Sequence, residues 1–378
     1  MIGISIVRLM SIMVMSNVPV LLMGLLLIFC WMHWRENRRL GWALAMGFFA
    51  GWAAVCRPLE ATCFAMPVGV AILPRLRDWN WSGRFATIAL IVLGAAPFLT
   101  LQLVMNRKIT GDWRTPPWQY YSNRDFPQTT MGFRQFDPAI RPVSKLPQKQ
   151  VIFDMYVPYI VKDHQPKRIL HQWLQWRGPT VAEGAMPYTI LLIFLPLGIW
   201  LCRDAASRVV AGVVLMFVVL YTISVVFQIY YPIVIVPSML LLILLGVNCF
   251  RGPLRAALLL WLAFMAITAL PEANLRVRDR LFEARLMRQV DEWEQNYRGR
   301  ALVLFHYSRR RNIHEEPVYN TSAAWPDDER IIRANDLGPE NRKLFEYYAR
   351  IEPQREVFLF DEASNSYTRL GTVGELAK

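Results

Sequence analysis

The feature that most constrains this chain is a series of apolar runs long enough to cross a lipid bilayer. They fall at 18–34, 40–56, 59–74, 85–105, 187–201, 209–229, 232–250 and 256–270. A hydrocarbon layer about 30 Å thick takes roughly 20 apolar residues per helix. A soluble core has no need of so many such runs, and the 54% hydrophobic content agrees. Residues 2–15 read as a short or incomplete helix, separated from the next by Ser16, Asn17 and Pro19. The expected fold is mainly α, a polytopic transmembrane helical bundle with a small C-terminal α/β module. Its expected parts are N-terminal transmembrane helices over 1–105, an extracytoplasmic loop over 106–185, C-terminal transmembrane helices over 186–270, and a soluble α/β tail over 271–378.

The net charge of +13 is unevenly spread. The tail from 271 onward holds 18 Lys/Arg against 19 Asp/Glu, so the excess belongs to residues 1–270. A nucleic-acid binder carries its basic patch on a soluble surface, whereas here much of the excess sits in short connections between apolar runs. Nucleic acid is therefore not an expected partner; the lipid bilayer is. The basic connections are Arg35, Arg38 and Arg39; Arg75, Arg77 and Arg84; Arg203 and Arg208; and Arg251 and Arg255. Placing all four on the cytoplasmic side satisfies the positive-inside rule. It predicts a multi-pass protein of the inner (plasma) membrane, with 106–185 and the tail outside. The five cysteines lie in or beside apolar runs and imply neither a disulfide framework nor a metal cluster. The first residues lack the pattern of a cleavable signal.

The segment 106–185 is rich in aromatics and proline, among them Trp113, Pro116, Pro117, Trp118, Tyr120, Tyr121, Phe126, Pro127, Trp173 and Trp176. It predicts extended chain with one or two short helices on the bilayer surface, the aromatics either at headgroup depth or stacked on a sugar face. In the tail, 276–297 has the spacing of an amphipathic helix. Residues 301–305, 330–334 and 357–360 read as buried strands, and 342–348 as a helix between them, which together suit a small α/β module.

Arg57-Pro58 stands out among polar residues, because it joins two apolar runs on the side that disfavours basic residues. Such an arginine costs about 2–3 kcal/mol at membrane depth, so it faces headgroups, a partner or a cavity. Pairing with Glu60, one turn along, is one reading; a planar guanidinium clamping phosphate is the other. Gly47, Ala50, Gly51, Ala53 and Ala54 before it offer small residues for close helix packing. Tyr230 and Tyr231 lie between two apolar runs, as interfacial anchors or as the lining of an outward cavity. Glu60, Asp112 and Asp125 are the nearest carboxylates that could take a proton, though each also suits a surface or capping role. His164 and His171 lack the spacing of a helical metal pair, and no metal or cofactor is expected. The glycines form no nucleotide-binding array. Asn320-Thr321-Ser322 matches a glycosylation sequon, a match common by chance.

Taken together, Met15-Ser16-Asn17 and Gly47-Phe48-Phe49-Ala50-Gly51 running to Cys56-Arg57-Pro58 resemble the middle of a GT-C-type membrane glycosyltransferase. The chain is most similar to an uncharacterised bacterial group within that class, akin to mannosyltransferases and aminoarabinose transferases. Asn106 to Thr110-Gly111-Asp112, Pro117, Tyr120-Tyr121, Pro127 and Gly132-Phe133 resemble that group's exported segment. Tyr230-Tyr231, Pro232 and Pro237 stand near its His-Tyr and proline pattern, with Gln228 and Ile229 where the His is usual. Val318-Tyr319-Asn320, Asp336-Leu337-Gly338, Asn341 and Gln354-Arg355 resemble its C-terminal module. The resemblance implies transfer of a sugar from a polyprenyl-phosphate donor to an extracytoplasmic acceptor. It places Arg57 at the donor phosphate, with Tyr120, Tyr121 and Tyr231 lining the pocket. The family's acidic catalytic residue lies upstream of anything present here, so the catalytic group is unassigned and the chain is expected to be the C-terminal part of a longer protein. The rival expectations are a non-catalytic membrane scaffold or partner subunit and, last, a transporter, which would want more ionisable residues in mid-helix.

Overall fold

The computed structural model describes residues 16–186, 189–264, 267, 285–307, 318, 320, 323 and 325–378. The run expected over 2–15 therefore lies outside the described residues, as do parts of the sequon and of 256–284. The chain divides into two compact units. One comprises Met1–Ser122, Thr129–Gln135 and Ile160–Arg278; the other comprises Asn123–Gln128, Phe136–Tyr159 and Asp279–Lys378.

The first unit is helical. Its first four helices are α1 (Asn17–Asn37), α2 (Leu40–Cys56), α3 (Pro58–Arg77) and α4 (Trp81–Thr110). Shorter helices follow in the middle of the chain: α5 (Pro117–Asp125), whose last residues count with the second unit; α6 (Pro147–Asp163), most of which belongs to the second unit; and, back in the first, α7 (Ile169–Gln172) and α8 (Gly178–Ala185), joined by a π-turn at Trp173–Arg177. Then come α9 (Leu195–Trp200), α10 (Ala205–Ile223), α11 (Val236–Val247) and α12 (Gly252–Phe264). α1, α3, α4 and α10 are each long and apolar enough to cross a membrane.

Local chemistry sets the ends of these helices. Asn80 accepts a hydrogen bond from the Gly83 amide to start α4, and Asp204 accepts from Ala206 and Ser207 to start α10. Gly111, at φ +81°, closes α4 in a left-handed turn that glycine adopts freely. Small residues set how closely helices approach. A Cβ on Gly47 would lie 1.9 Å from the Ile91 carbonyl oxygen, and one on Gly94 would lie 2.2 Å from that of Leu44. α2 and α4 thus meet backbone to backbone, as the small-residue run before Arg57 predicts. Gly198 of α9 and Gly246 of α11 repeat the arrangement. The unit's core is built from Trp31, Trp34, Met46, Phe64, Val68, Val213, Phe217 and Ile233 through Val236.

Two expectations need revision. Residues 106–185 are more helical than extended: α4 continues to Thr110, and α5, α6 and the 169–185 helix occupy much of the rest. The prolines mislead here, because Pro117 and Pro147 open helices and Pro179 sits in the first turn of α8. First-turn amides have no helical acceptor, so proline loses nothing there. The runs 187–201 and 232–250 are also not single helices. Thr189–Phe194 and Tyr231–Ile235 wind as tighter 3-10 turns before α9 and α11 begin.

In the second unit a four-stranded sheet has the order β2-β1-β3-β4, from β1 (Ala301–His306), β2 (Ile331–Asn335), β3 (Glu356–Asp361) and β4 (Ser366–Thr372). β1 runs parallel to both β2 and β3, and β4 is antiparallel to β3. Alternation along β1 sends Val303 and Phe305 to one face, packed with Val290 and Trp293 of α13 (Arg285–Asn296) and with Tyr297 just after it. Leu302 and Leu304 go to the other, against Phe345 and Tyr348 of α14 (Asn341–Ala349) and Val373 of α15 (Val373–Leu376). Both faces are covered, which is why β1 reads as an unbroken apolar run. The expected α/β tail is present, with β4 and α15 added to it.

Candidate functional site

Arg57 occupies the single extended residue between α2 and α3, ending one helix and starting the next. Pro58 opens α3, and Glu60 falls in its first turn, where the helix dipole favours a carboxylate. That spacing brings the two side chains together: Arg57 Nε donates to Glu60 Oε1 at 2.5 Å. Arg57 Nη1 donates to Asn17 Oδ1 of α1 at 2.7 Å, and the guanidinium lies 5.2 Å from the centre of the Tyr231 ring. Tyr221 of α10 donates its hydroxyl to the same Glu60 Oε1 at 2.9 Å. Asn17 in turn donates to the Tyr230 carbonyl at 3.4 Å.

The cluster is drawn from α1, α3, α10 and the turn before α11, and it is nearly dry. Asn17, Glu60 and Tyr221 are 1%, 3% and 1% exposed. The Arg57 side chain keeps 19% of its surface open. A buried carboxylate needs a cation and hydrogen bonds to offset its lost hydration, and Glu60 has both. Chemically, the arrangement presents one partly open guanidinium edge, backed by an aromatic ring and a fixed counter-charge.

Of the residues singled out from sequence, Arg57, Glu60 and Tyr231 come together. Tyr120 and Tyr121 lie on α5, each 44% exposed. Neither is a partner of Arg57, Glu60 or Tyr231 among the described residues. Asp112 is a turn carboxylate: its Oδ2 accepts from the Thr115 hydroxyl at 2.6 Å, which holds its carboxyl below the usual range. Asp125 is 7% exposed with Oδ1 lacking a hydrogen-bond partner among the described residues, and burial pushes its carboxyl up. Tyr221 and the anchoring role of Asn17 escape sequence reasoning. The only available signal was a tyrosine and an asparagine inside apolar stretches.

Beside this cluster is a second buried one. Arg177, in the π-turn, is 0% exposed and His164 1%. Arg177 donates to the carbonyls of Tyr221, Ser224 at 2.9 Å and Val225 at 3.4 Å, and to His164 Nδ1 at 3.1 Å. Among the described residues no group of three or more His, Cys, Asp or Glu could hold a metal ion. Comparison with known proteins finds no matching family model, no matching curated protein and no matching solved structure.

Proposed function

We propose that the chain is a multi-pass membrane protein of glycosyltransferase type, acting on a polyprenyl-phosphate-linked sugar at the outer face of the membrane. The observation that carries this reading is Arg57: a partly open guanidinium at a junction between apolar helices, fixed by Glu60, Asn17 and the Tyr231 ring. In the proposed transfer an acceptor oxygen bonds to the anomeric carbon while the carbon–oxygen bond to the lipid phosphate breaks. The phosphate leaves with the electron pair, and a cation placed beside it stabilises the charge that builds there. Tyr231 lines the site in this reading, with Tyr120 and Tyr121 as the further pocket-lining residues that the resemblance implies. The base that takes the acceptor's proton is unassigned.

The test is binding of a short-chain polyprenyl phosphate to the detergent-solubilised protein. A charge-assisted contact contributes about 1.5–3 kcal/mol, so Arg57→Gln should weaken binding at least about tenfold while membrane insertion is retained. Unchanged affinity in a folded variant would reject the phosphate role. The same network favours a second reading from a different class, a non-catalytic membrane scaffold, because Arg57 ties four elements together whether or not a ligand arrives. A scaffold would show no saturable binding of polyprenyl phosphate by the wild-type chain.

A further inference from the structure

The structure assigns to Arg177 a positioning role: it fixes the last turn of α10, and through Tyr221 it sets the Glu60–Arg57 pair. We infer that this hold lasts only while His164 is uncharged. The inference concerns the geometry of that pair and stands whether or not a phosphate binds beside it.

The case begins with the open end of a helix. The last carbonyls of α10 have no amide of their own helix to accept from, and Ser224 leaves α10 in extended conformation. Arg177 reaches from the π-turn and donates to the carbonyls of Tyr221, Ser224 and Val225. The Gly132 amide donates to the Ile223 carbonyl at 2.8 Å. A cation at this end also meets the negative pole of the helix. No carboxylate lies within ion-pair distance of Arg177 among the described residues. Asp163 is the nearest acidic influence, and its own oxygens are taken by Gln172 at 2.7 Å and Arg168 at 3.3 Å.

Tyr221 is the residue through which the hold is passed on. Its carbonyl is bound by Arg177, and its hydroxyl donates to the Glu60 oxygen that also receives Arg57 Nε. Its ring is wedged against Phe217, Phe227 and Tyr231 at centroid distances of 4.4, 5.5 and 5.0 Å. A shift of the last turn therefore moves the hydroxyl, because the ring has no free space in which to compensate.

His164 supplies the sensitivity to protons. An arginine has no lone pair to offer, so His164 Nδ1 must accept, which places the ring proton on Nε2 and leaves the ring neutral. Protonation removes that acceptor and puts a second positive charge 3.1 Å from a buried guanidinium. The groups facing the ring are Arg177, Gln172 and the Ile223 carbonyl, with Asp163 next along the chain and Phe133 stacked at 4.7 Å.

Hydrogen–deuterium exchange of the full chain in nanodiscs tests this without any transfer assay. Arg177→Met should raise exchange about tenfold or more over 218–226 and also over 57–62, as expected when hydrogen bonds to a charged group are lost, and Arg177→Lys should recover part of the protection. Tyr221→Phe should loosen 57–62 alone. Lowering the pH from 7.5 to 5.0 should reproduce the Arg177→Met pattern in wild type and not in His164→Gln, after correction for intrinsic rates. If Arg177→Met loosens 218–226 and leaves 57–62 protected, Arg177 is a local cap and the positioning role is wrong. If Arg177→Met does not fold, Tyr221→Phe and the pH series decide: protected 57–62 in the former, or an acid response that survives His164→Gln, overturns the inference.

Discussion

Glu60 accepts from two donors of unequal consequence. Tyr221 offers it a neutral hydroxyl, while Arg57 brings a full charge at 2.5 Å. Deleting the carboxylate alone leaves a mostly buried cation without its counter-charge, which typically costs about 3–5 kcal/mol. Glu60→Leu should therefore lower the unfolding midpoint of the solubilised chain substantially, and the double variant Arg57→Met/Glu60→Leu should restore most of it. A double variant no more stable than the single would show that the two charges are not coupled. His164 carries a pH prediction of its own. Burial, and then the Arg177 charge, hold its imidazole below the ordinary histidine value, so the unfolded chain binds the proton more readily. The stabilisation is complete above about pH 6.5 and is lost as pH falls through the lowered folded value. Thermal midpoints measured from pH 7.5 to pH 5 should fall in wild type and fall less in His164→Gln. At this scale the sequence is legible only over short separations. Arg57 and Glu60 are three residues apart, and a helix start brings them together. Asn17 and Tyr221 reach the same point across 40 and 161 residues from their partners, and no local pattern marks them.

Among the elements, the seam between α2 and α4 rests on residues without side chains. Gly94→Val would drive a branched side chain into the Leu44 carbonyl and the Phe48 amide, 2.2 and 2.8 Å from its Cβ. Backbone cannot yield as a flexible side chain does, so the helices must separate. Overpacking of this kind costs about 1–3 kcal/mol or more. Thermal unfolding should show a loss of that size for Gly94→Val and little change for Gly69→Ala, where nothing lies within 4 Å. In the α/β module, Trp293 of α13 stacks between Tyr297 and Tyr367, nearly parallel to both, with centroids at 5.0 and 4.1 Å. Trp293→Ala should cost about 3 kcal/mol and raise proteolytic cleavage across 290–372 while leaving α1–α4 protected. Element boundaries were clear where hydropathy was the only force: 40–56 reads as a helix and is one. They were obscure where backbone chemistry intervened. Pro232 and Pro237 offer no amide to a preceding turn, so the apolar run from 232 starts as a 3-10 turn. β4 was missed because it is an edge strand whose residues are mostly exposed and polar, leaving no apolar alternation to detect.

For the whole molecule, hydropathy and the grammar of the tail identified a helical bundle followed by a small mixed sheet. What they could not supply is the way residues from distant helices meet, since that depends on packing rather than on composition. The proposed membrane setting makes a plain prediction. The chain should stay with the membrane fraction through alkaline carbonate washing, and single cysteines introduced beside Arg35 and after Asn106 should react with impermeant reagents from opposite sides. Equal labelling of both positions in sealed cells would remove the proposed topology.

Helix α4 carries one more implication. Its 30 residues, at a rise of 1.5 Å each, make a rod about 45 Å long; in the proposed membrane setting it would meet an oil layer about 30 Å deep. There such a rod would either lean steeply or stand proud of the lipid by about three turns. Only 6% of its most apolar stretch is buried by the protein, yet the Gly47 and Gly94 seam fixes it to α2 backbone to backbone, so in that setting the two helices lean together. The final turn with Arg107 and Lys108 would then carry its charge beyond the oil layer, and the direction in which the pair leans would decide where the segment that starts at Gly111 meets the surface.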